Sequence, residues 1–153
     1  MKKVLTSLFW ISIISLAMAL DRAGFLNLKL NLTMLLVYYM GLKWPELKAV
    51  LCSAGVGFIE DSLSLRIIGP NMLSKCTVIF ITSFFRSGIF NFTPLLNSLL
   101  CFAFTIVDGF IVYFSLSVFD TRPVDISTAI DSIMFQSLIN GVLGYFVMRE
   151  QDE

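Results

Sequence analysis

The sequence predicts an all-α fold, a single domain over residues 1–153 built as a bundle of six membrane helices. Hydrophobic residues make up 57% of the chain and charged residues 14%, with a mean hydropathy of +0.85. An ordinary soluble domain carries about 25% charged residues. Several apolar runs are long enough to enter a bilayer, and the turns between them are too short to hold a soluble domain. These observations together predict a polytopic integral membrane protein.

Six apolar segments define the helices, at about 4–20, 32–42, 46–63, 71–85, 95–119 and 126–148. The last two are long enough to span the hydrocarbon core completely. The second has about eleven residues and, at 1.5 Å rise per residue, reaches roughly 16 Å of a ~30 Å core. We therefore expect it to be lengthened into its polar flank, or to be a partial helix buried among the others.

The amino terminus fits two interpretations. Lys2 and Lys3, the apolar run 4–16 and the small-residue pattern Ala17-Met18-Ala19 match a secretory signal peptide. The same residues match a first membrane helix of about 17 residues with a basic cytoplasmic flank. Because the rest of the chain is apolar throughout, we favour the uncleaved helix, and cleavage stays open.

The orientation rests on the basic residues. With six crossings and a cytoplasmic amino terminus, the cytoplasmic side holds six of them: Lys2, Lys3, Lys43, Lys48, Arg86 and Arg149. The opposite side holds five: Arg22, Lys29, Arg66, Lys75 and Arg122. Since this distribution is nearly even, the basic pair at the amino terminus decides, and both termini are predicted to be cytoplasmic.

The stretch from residue 55 to 75 joins two predicted helices through a turn and carries most of the candidate residues. Asp61 ends the first helix, Lys75 lies in the second, and a hairpin centred near Ile68 places them at about the same depth. Gly57 lies one i,i+4 step before Asp61 and shares its face. Asn71 is related to Lys75 in the same way. We expect an Asp61–Lys75 ion pair beside a glycine that permits close helix approach.

The same polar groups also have a purely structural interpretation. Glu60 points about 100° around the helix from Asp61 and would reach interfacial water. Both carboxylates would then be interface residues tied to Lys75 or Arg66. A charge at the bilayer centre costs about 2.5–3.5 kcal/mol on insertion scales, so we expect these residues to face protein, a cavity or the interface.

A second polar group is predicted between the fifth and sixth segments. Asp108 lies near the middle of the fifth segment, and Gln136 and Asn140 share a face of the sixth. A hairpin centred near Arg122 places Asp108 and Gln136 at about the same depth. We expect Asp108 to be hydrogen-bonded to Gln136 or Asn140, either as glue between helices or as part of a ligand or partner site.

Small residues are predicted to pack the helices together: Gly55, Ser137, Gly141 and Gly144. If Ser137 and Gly141 face lipid, their surface would be the natural dock for the membrane helix of a partner protein.

Several chemistries find no support in the residues. The chain has no histidine, the commonest general base and metal ligand, and no glycine-rich phosphate loop with a following lysine and hydroxyl. Asp61 and Asp108 could form an aspartic-protease dyad, but the hairpins place them at different depths. A GxGD protease carries aspartate where Phe58 follows Gly57. We predict no enzymatic activity, no cofactor, no metal and no nucleic-acid partner.

The cysteines lie in apolar runs and are predicted to be buried small hydrophobes: Cys52, Cys76 and Cys101.

Residues 42–75 resemble the core pattern of the MreD family of bacterial rod shape-determining membrane proteins. The pattern is a short apolar segment, a basic turn, a glycine-containing helix ending in an acidic residue, and a glycine turn into the next helix. The matching positions are Lys43, Gly55, Gly57, Asp61, Gly69 and Leu73. Asn31 and Leu32 stand where the family often has a proline, and Glu60 and Lys75 are additional charges.

The resemblance implies a non-enzymatic scaffold of the cell-elongation machinery in the bacterial inner membrane. Such proteins bind MreC, whose single membrane helix and periplasmic domain connect cytoplasmic MreB filaments to peptidoglycan synthesis. The family is similar in fold to the S-components of vitamin transporters, which are six-helix bundles with a pocket open to the outside. A small-molecule binding subunit of a transporter is therefore the alternative function. The oligomeric state stays open, a homodimer included.

Overall fold

The computed structural model describes residues 2–23, 30–64, 67–86, 93–120 and 125–149, and every regular element within these ranges is an α-helix. The six helices are α1 (Lys2–Ala23), α2 (Leu32–Lys43), α3 (Glu46–Ser64), α4 (Pro70–Arg86), α5 (Pro94–Phe119) and α6 (Ile126–Arg149). Each begins and ends within three residues of a predicted segment. The prediction of an all-α fold with six helices is confirmed.

Two of these helices are long and apolar enough to cross a membrane, at Pro94–Phe119 and Ile126–Val147 of the described residues. They correspond to α5 and α6, which pack against each other along their length. Shorter apolar helices lie at Leu8–Asp21 and Leu32–Lys43. Length and composition therefore support membrane association.

Proline and glycine determine where several helices begin. Pro94 opens α5, and the hydroxyl of Thr93 before it accepts a hydrogen bond from the Leu96 amide at 3.3 Å. This arrangement satisfies an amide that lacks an intrahelical partner. Pro70 opens α4 after Gly69, whose φ of 132° lies where side chains other than glycine are strained. The turn between α3 and α4 therefore depends on a glycine followed by a proline.

The short helix α2 lies at the centre of the bundle and contacts all five other helices. Its fully buried residues include Met34, Val37, Tyr38 and Met40. The Tyr38 hydroxyl donates to Asn97 Oδ1 at 2.9 Å, so its polar atom is satisfied inside the core. Of the two alternatives expected for this segment, the structure shows the partial helix buried among the others.

Glycine lets α3 and α4 approach closely. A Cβ at Gly57 would lie 2.4 Å from Met72 Cα and 2.6 Å from its amide nitrogen, so no side chain fits there. By contrast, a Cβ at Gly55 would have no atom within 4 Å in the part of the chain that the structure describes. The prediction that Gly55 packs against another helix of this chain is therefore wrong, because this position points away from the bundle.

The small residues of α6 pack inside the bundle. Ser137 and Gly141 are buried, and the Ser98 hydroxyl of α5 donates to the Gly141 carbonyl at 2.7 Å. A Cβ at Gly144 would lie 3.0 Å from Cys101 Cβ. Since α5 already covers this face, the expectation that Ser137 and Gly141 form a lipid-exposed dock is wrong.

We predict that Gly57→Ala destabilises the protein by about 1–3 kcal/mol, because the new methyl group must push the α4 backbone away from α3. The measurement is the unfolding midpoint of the purified chain in detergent.

Gly55→Ala is the matched control two residues away on the same helix. It meets open space and should be neutral, or stabilising by about 0.5–1 kcal/mol through helix propensity. Equal losses for both substitutions would contradict the close contact at Gly57.

Candidate functional site

A fully buried lysine forms the centre of the candidate site. The Lys75 side chain on α4 is 1% exposed, and its Nζ lies 2.5 Å from Glu60 Oε2 of α3 and 3.9 Å from Asp108 Oδ1 of α5. A buried ammonium is tolerated when it is paired and hydrogen-bonded, since leaving it alone costs several kcal/mol. We call Glu60, Lys75 and Asp108 the ion cluster. It links α3, α4 and α5.

Asp61 does not belong to the ion cluster, and the predicted Asp61–Lys75 ion pair is wrong. Its carboxylate accepts hydrogen bonds from the amides of Gly69, Asn71 and Met72 at 2.8, 3.1 and 3.2 Å. The Asn71 side chain donates to it as well, through Nδ2 at 2.9 Å. These amides surround the first turn of α4, where backbone donors lack partners and the helix dipole favours a negative charge. Asp61 therefore caps α4.

Adjacent positions on α3 explain this division of roles. Glu60 and Asp61 project about 100° apart around the helix. Asp61 therefore faces the turn before α4, whereas Glu60 faces the side of α4 that carries Lys75. The purely structural interpretation ties Glu60 to Lys75 or Arg66, and the contact with Lys75 agrees with it. The Glu60 side chain is 18% exposed.

Asp108 also has partners other than those predicted. Its carboxylate accepts from Asn31 Nδ2 at 2.7 Å and from the Ser74 hydroxyl at 2.6 Å. Asn140 is connected to Asp108 only through Asn31. Its Nδ2 donates to the Asn31 backbone carbonyl at 2.8 Å and to the Thr105 hydroxyl at 3.1 Å. The expected direct bond from Asp108 to Gln136 or Asn140 is wrong, but the network does reach α6 through Asn31.

Asp21, which the sequence interpretation did not select, caps the central helix. It accepts from the amides of Leu32 and Thr33 at 2.7 and 3.0 Å, and from the Thr33 hydroxyl at 3.0 Å. A capping role is signalled by an acidic residue facing the start of a helix, but Asp21 lies eleven residues before Leu32. Only the folded pairing of α1 with α2 brings them together.

A cavity of about 750 Å³ opens beside the ion cluster. It lies at one end of the bundle, among the last turns of α1 and α3, the first turns of α2 and α4, the second half of α5 and the first half of α6. Its polar lining residues include Asp21, Asn31, Glu60, Asp61, Asp108 and Gln136. Gln136 therefore faces the same space as the ion cluster, although it does not bond to Asp108. Lys75 does not line the cavity, so Glu60 and Asp108 separate the ammonium from it.

The arrangement suits binding by charge and hydrogen bonds. The Asp61 carboxylate accepts from backbone amides at the start of α4. The Asp108 carboxylate accepts from the side chains of Asn31 and Ser74. Among the described residues, no group of three or more His, Cys, Asp or Glu side chains is placed to hold a metal ion. What the cavity offers an incoming molecule is carboxylate and amide groups set in apolar walls.

Comparison with protein-family models, with curated proteins and with solved structures finds no match to this chain.

Replacing the cap on α4 provides a local test. We predict that Asp61→Ala exposes the amides of Gly69, Asn71 and Met72 to hydrogen exchange, because their shared acceptor is lost. The loss of stability should be about 0.5–2 kcal/mol. Hydrogen–deuterium exchange of the chain in detergent reports both effects.

Ser62→Ala is the matched control, since the exposed Ser62 hydroxyl donates only within α3, to the Phe58 carbonyl. It should leave exchange at the start of α4 unchanged. Unchanged protection in Asp61→Ala would contradict the capping role.

Proposed function

We propose that this chain is a non-enzymatic membrane scaffold of the bacterial cell-elongation machinery, as its resemblance to the MreD family implies. One observation carries the proposal. Three positions that carry the resemblance, Gly57, Asp61 and Gly69, form one joint between α3 and α4. The glycine admits the α4 backbone, the carboxylate caps α4 and Gly69 makes the turn. The pattern thus corresponds to a structural unit, as a shared fold requires.

The proposed location is the bacterial inner membrane, with several passes. The two apolar helices α5 and α6 support it, and so do large apolar side chains exposed on other helices, such as Leu47, Leu51, Phe80 and Phe84. A lipid environment would remove the cost of exposing them to water. The first helix supplies Met18 to the core and Asp21 as the cap of α2, which supports a retained helix rather than a cleaved signal peptide.

The helix order supports cytoplasmic termini. The end of the bundle opposite the cavity holds the start of α1, the turn between α2 and α3 and the end of α4. Lys43, Lys48 and Arg86 lie at that end, as expected for a cytoplasmic face. In this orientation the cavity opens on the outer side of the membrane.

The proposed partner is an MreC-like protein with one membrane helix, linked indirectly to MreB filaments and peptidoglycan synthases. Gly55 belongs to the resembling pattern, but a Cβ at this position would have no atom of the described residues within 4 Å. Leu51 and Ile59, four residues to either side, are exposed and apolar. A glycine between exposed apolar side chains lets another membrane helix approach closely. We place the partner helix on this face of α3.

Affinity purification from the native membrane in gentle detergent tests the scaffold. We expect recovery of a protein with one membrane helix and a large periplasmic part, together with cell-wall synthesis enzymes. Gly55→Leu should abolish this recovery while the chain stays folded, because the added side chain fills the approach site, and a Cβ there has no atom of the described residues within 4 Å.

Ala103→Leu, at an exposed position of α5, is the matched control and should retain the partner. Recovery of the same partner by Gly55→Leu would contradict the placement on α3. Absence of any single-span partner from the wild-type preparation would contradict the scaffold.

The cavity favours a second candidate function, a solute-binding subunit of a transporter. Its volume of about 750 Å³ falls within the range of roughly 300–1,000 Å³ that small-molecule sites occupy. The same purification separates the two functions, because a transporter subunit would bring along an energising ATPase.

A further inference from the structure

The cavity has a strongly acidic lining. Four carboxylates border it, those of Asp21, Glu60, Asp61 and Asp108. None of the described residues that border it is a lysine or an arginine. A concave site of low dielectric focuses such a field and attracts cations.

Two of the four carboxylates are already hydrogen-bonded to backbone amides at helix starts. Asp21 and Asp61 accept from backbone amides at the start of α2 and α4, where the helix dipole compensates a negative charge. The remaining two, Glu60 and Asp108, share the single ammonium of Lys75. Among the described residues, Lys75 is the one cation that pairs with these two carboxylates.

The Glu60 carboxylate is accessible from the cavity. Lys75 is 1% exposed and Asp108 3% exposed, whereas the Glu60 side chain is 18% exposed and borders the cavity. The contact with Lys75 Nζ is made through Oε2 of Glu60. Of the two carboxylates of the ion cluster, Glu60 is therefore the more accessible to a cation in the cavity.

The other residues that line the cavity indicate what a ligand must carry besides a positive charge. Met18, Val112, Leu116 and Ile133 contribute apolar surface. A volume of about 750 Å³ exceeds what a bare ion or one side chain would fill and fits a compact organic molecule. The occupant should therefore combine a positive group with an apolar body.

We propose that the cavity binds a small organic cation, an ammonium or guanidinium group on an apolar body, with the charge placed against Glu60 of the ion cluster. This inference goes beyond the scaffold and deepens the solute-binding candidate by naming the chemical class of its ligand. It rests on the cavity and the ion cluster alone.

Equilibrium dialysis of the full chain in lipid nanodiscs tests the proposal, with empty nanodiscs measuring partition into lipid. The probes are 2-phenylethylammonium and its neutral counterpart 2-phenylethanol. We expect saturable binding of the cation, about tenfold or more tighter than the alcohol, because a charge-assisted bond to Glu60 is lost in the neutral molecule.

Glu60→Gln should weaken the cation about tenfold and leave the alcohol unchanged. Asp131→Asn, an exposed acidic position of α6 that does not border the cavity, is the matched control and should bind like the wild type. Equal wild-type affinities for cation and alcohol, or no saturable binding of the cation, would overturn the proposal even if Glu60→Gln failed to fold. Dialysis uses the isolated chain, whereas the scaffold function is tested by co-purification. Cation binding and the scaffold function can therefore fail independently of each other.

Discussion

The burial of one ammonium group constrains the whole bundle. Lys75 is 1% exposed, and a buried charge whose partner is removed costs about 3–5 kcal/mol. The helices that carry Glu60 and Asp108 must therefore pack on the same side of α4. Asn31 extends the polar network to the start of α2, and Asn140 extends it to α6. Polar contacts thus hold five helices in one arrangement.

The carboxylates at this end of the bundle have different roles that follow from their positions. Asp21 and Asp61 stabilise helix starts by accepting from backbone amides. Glu60 and Asp108 neutralise a side chain and face a cavity. The caps fix α2 and α4 in place, and this placement brings Asn31 and Ser74 within 2.7 Å of Asp108. The cavity and its charge are consequences of how the helices begin.

Local patterns in the sequence were sufficient to predict the helices, because apolar runs, Gly69–Pro70 and Pro94 mark where each begins and ends. The choice between two adjacent carboxylates was not predictable, since it depends on the rotation of α3 about its axis. The partner of Asp108 could not be found either, because Asn31 lies 77 residues away along the chain, in the polar flank of the second segment. Gly55 and Gly57 look alike in the sequence, and only the packing of α4 distinguishes them.

A pair of double-mutant cycles tests the ion cluster most directly. Lys75→Met is combined with Glu60→Gln in one cycle and with Asp61→Asn in the other, and the free energy of unfolding is measured in detergent for every variant. The geometry predicts a coupling of roughly 1–3 kcal/mol between Lys75 and Glu60, and additivity within about 0.5 kcal/mol between Lys75 and Asp61. Coupling to Asp61 with additivity at Glu60 would contradict the arrangement, because it would mean that Asp61 and not Glu60 neutralises the buried ammonium.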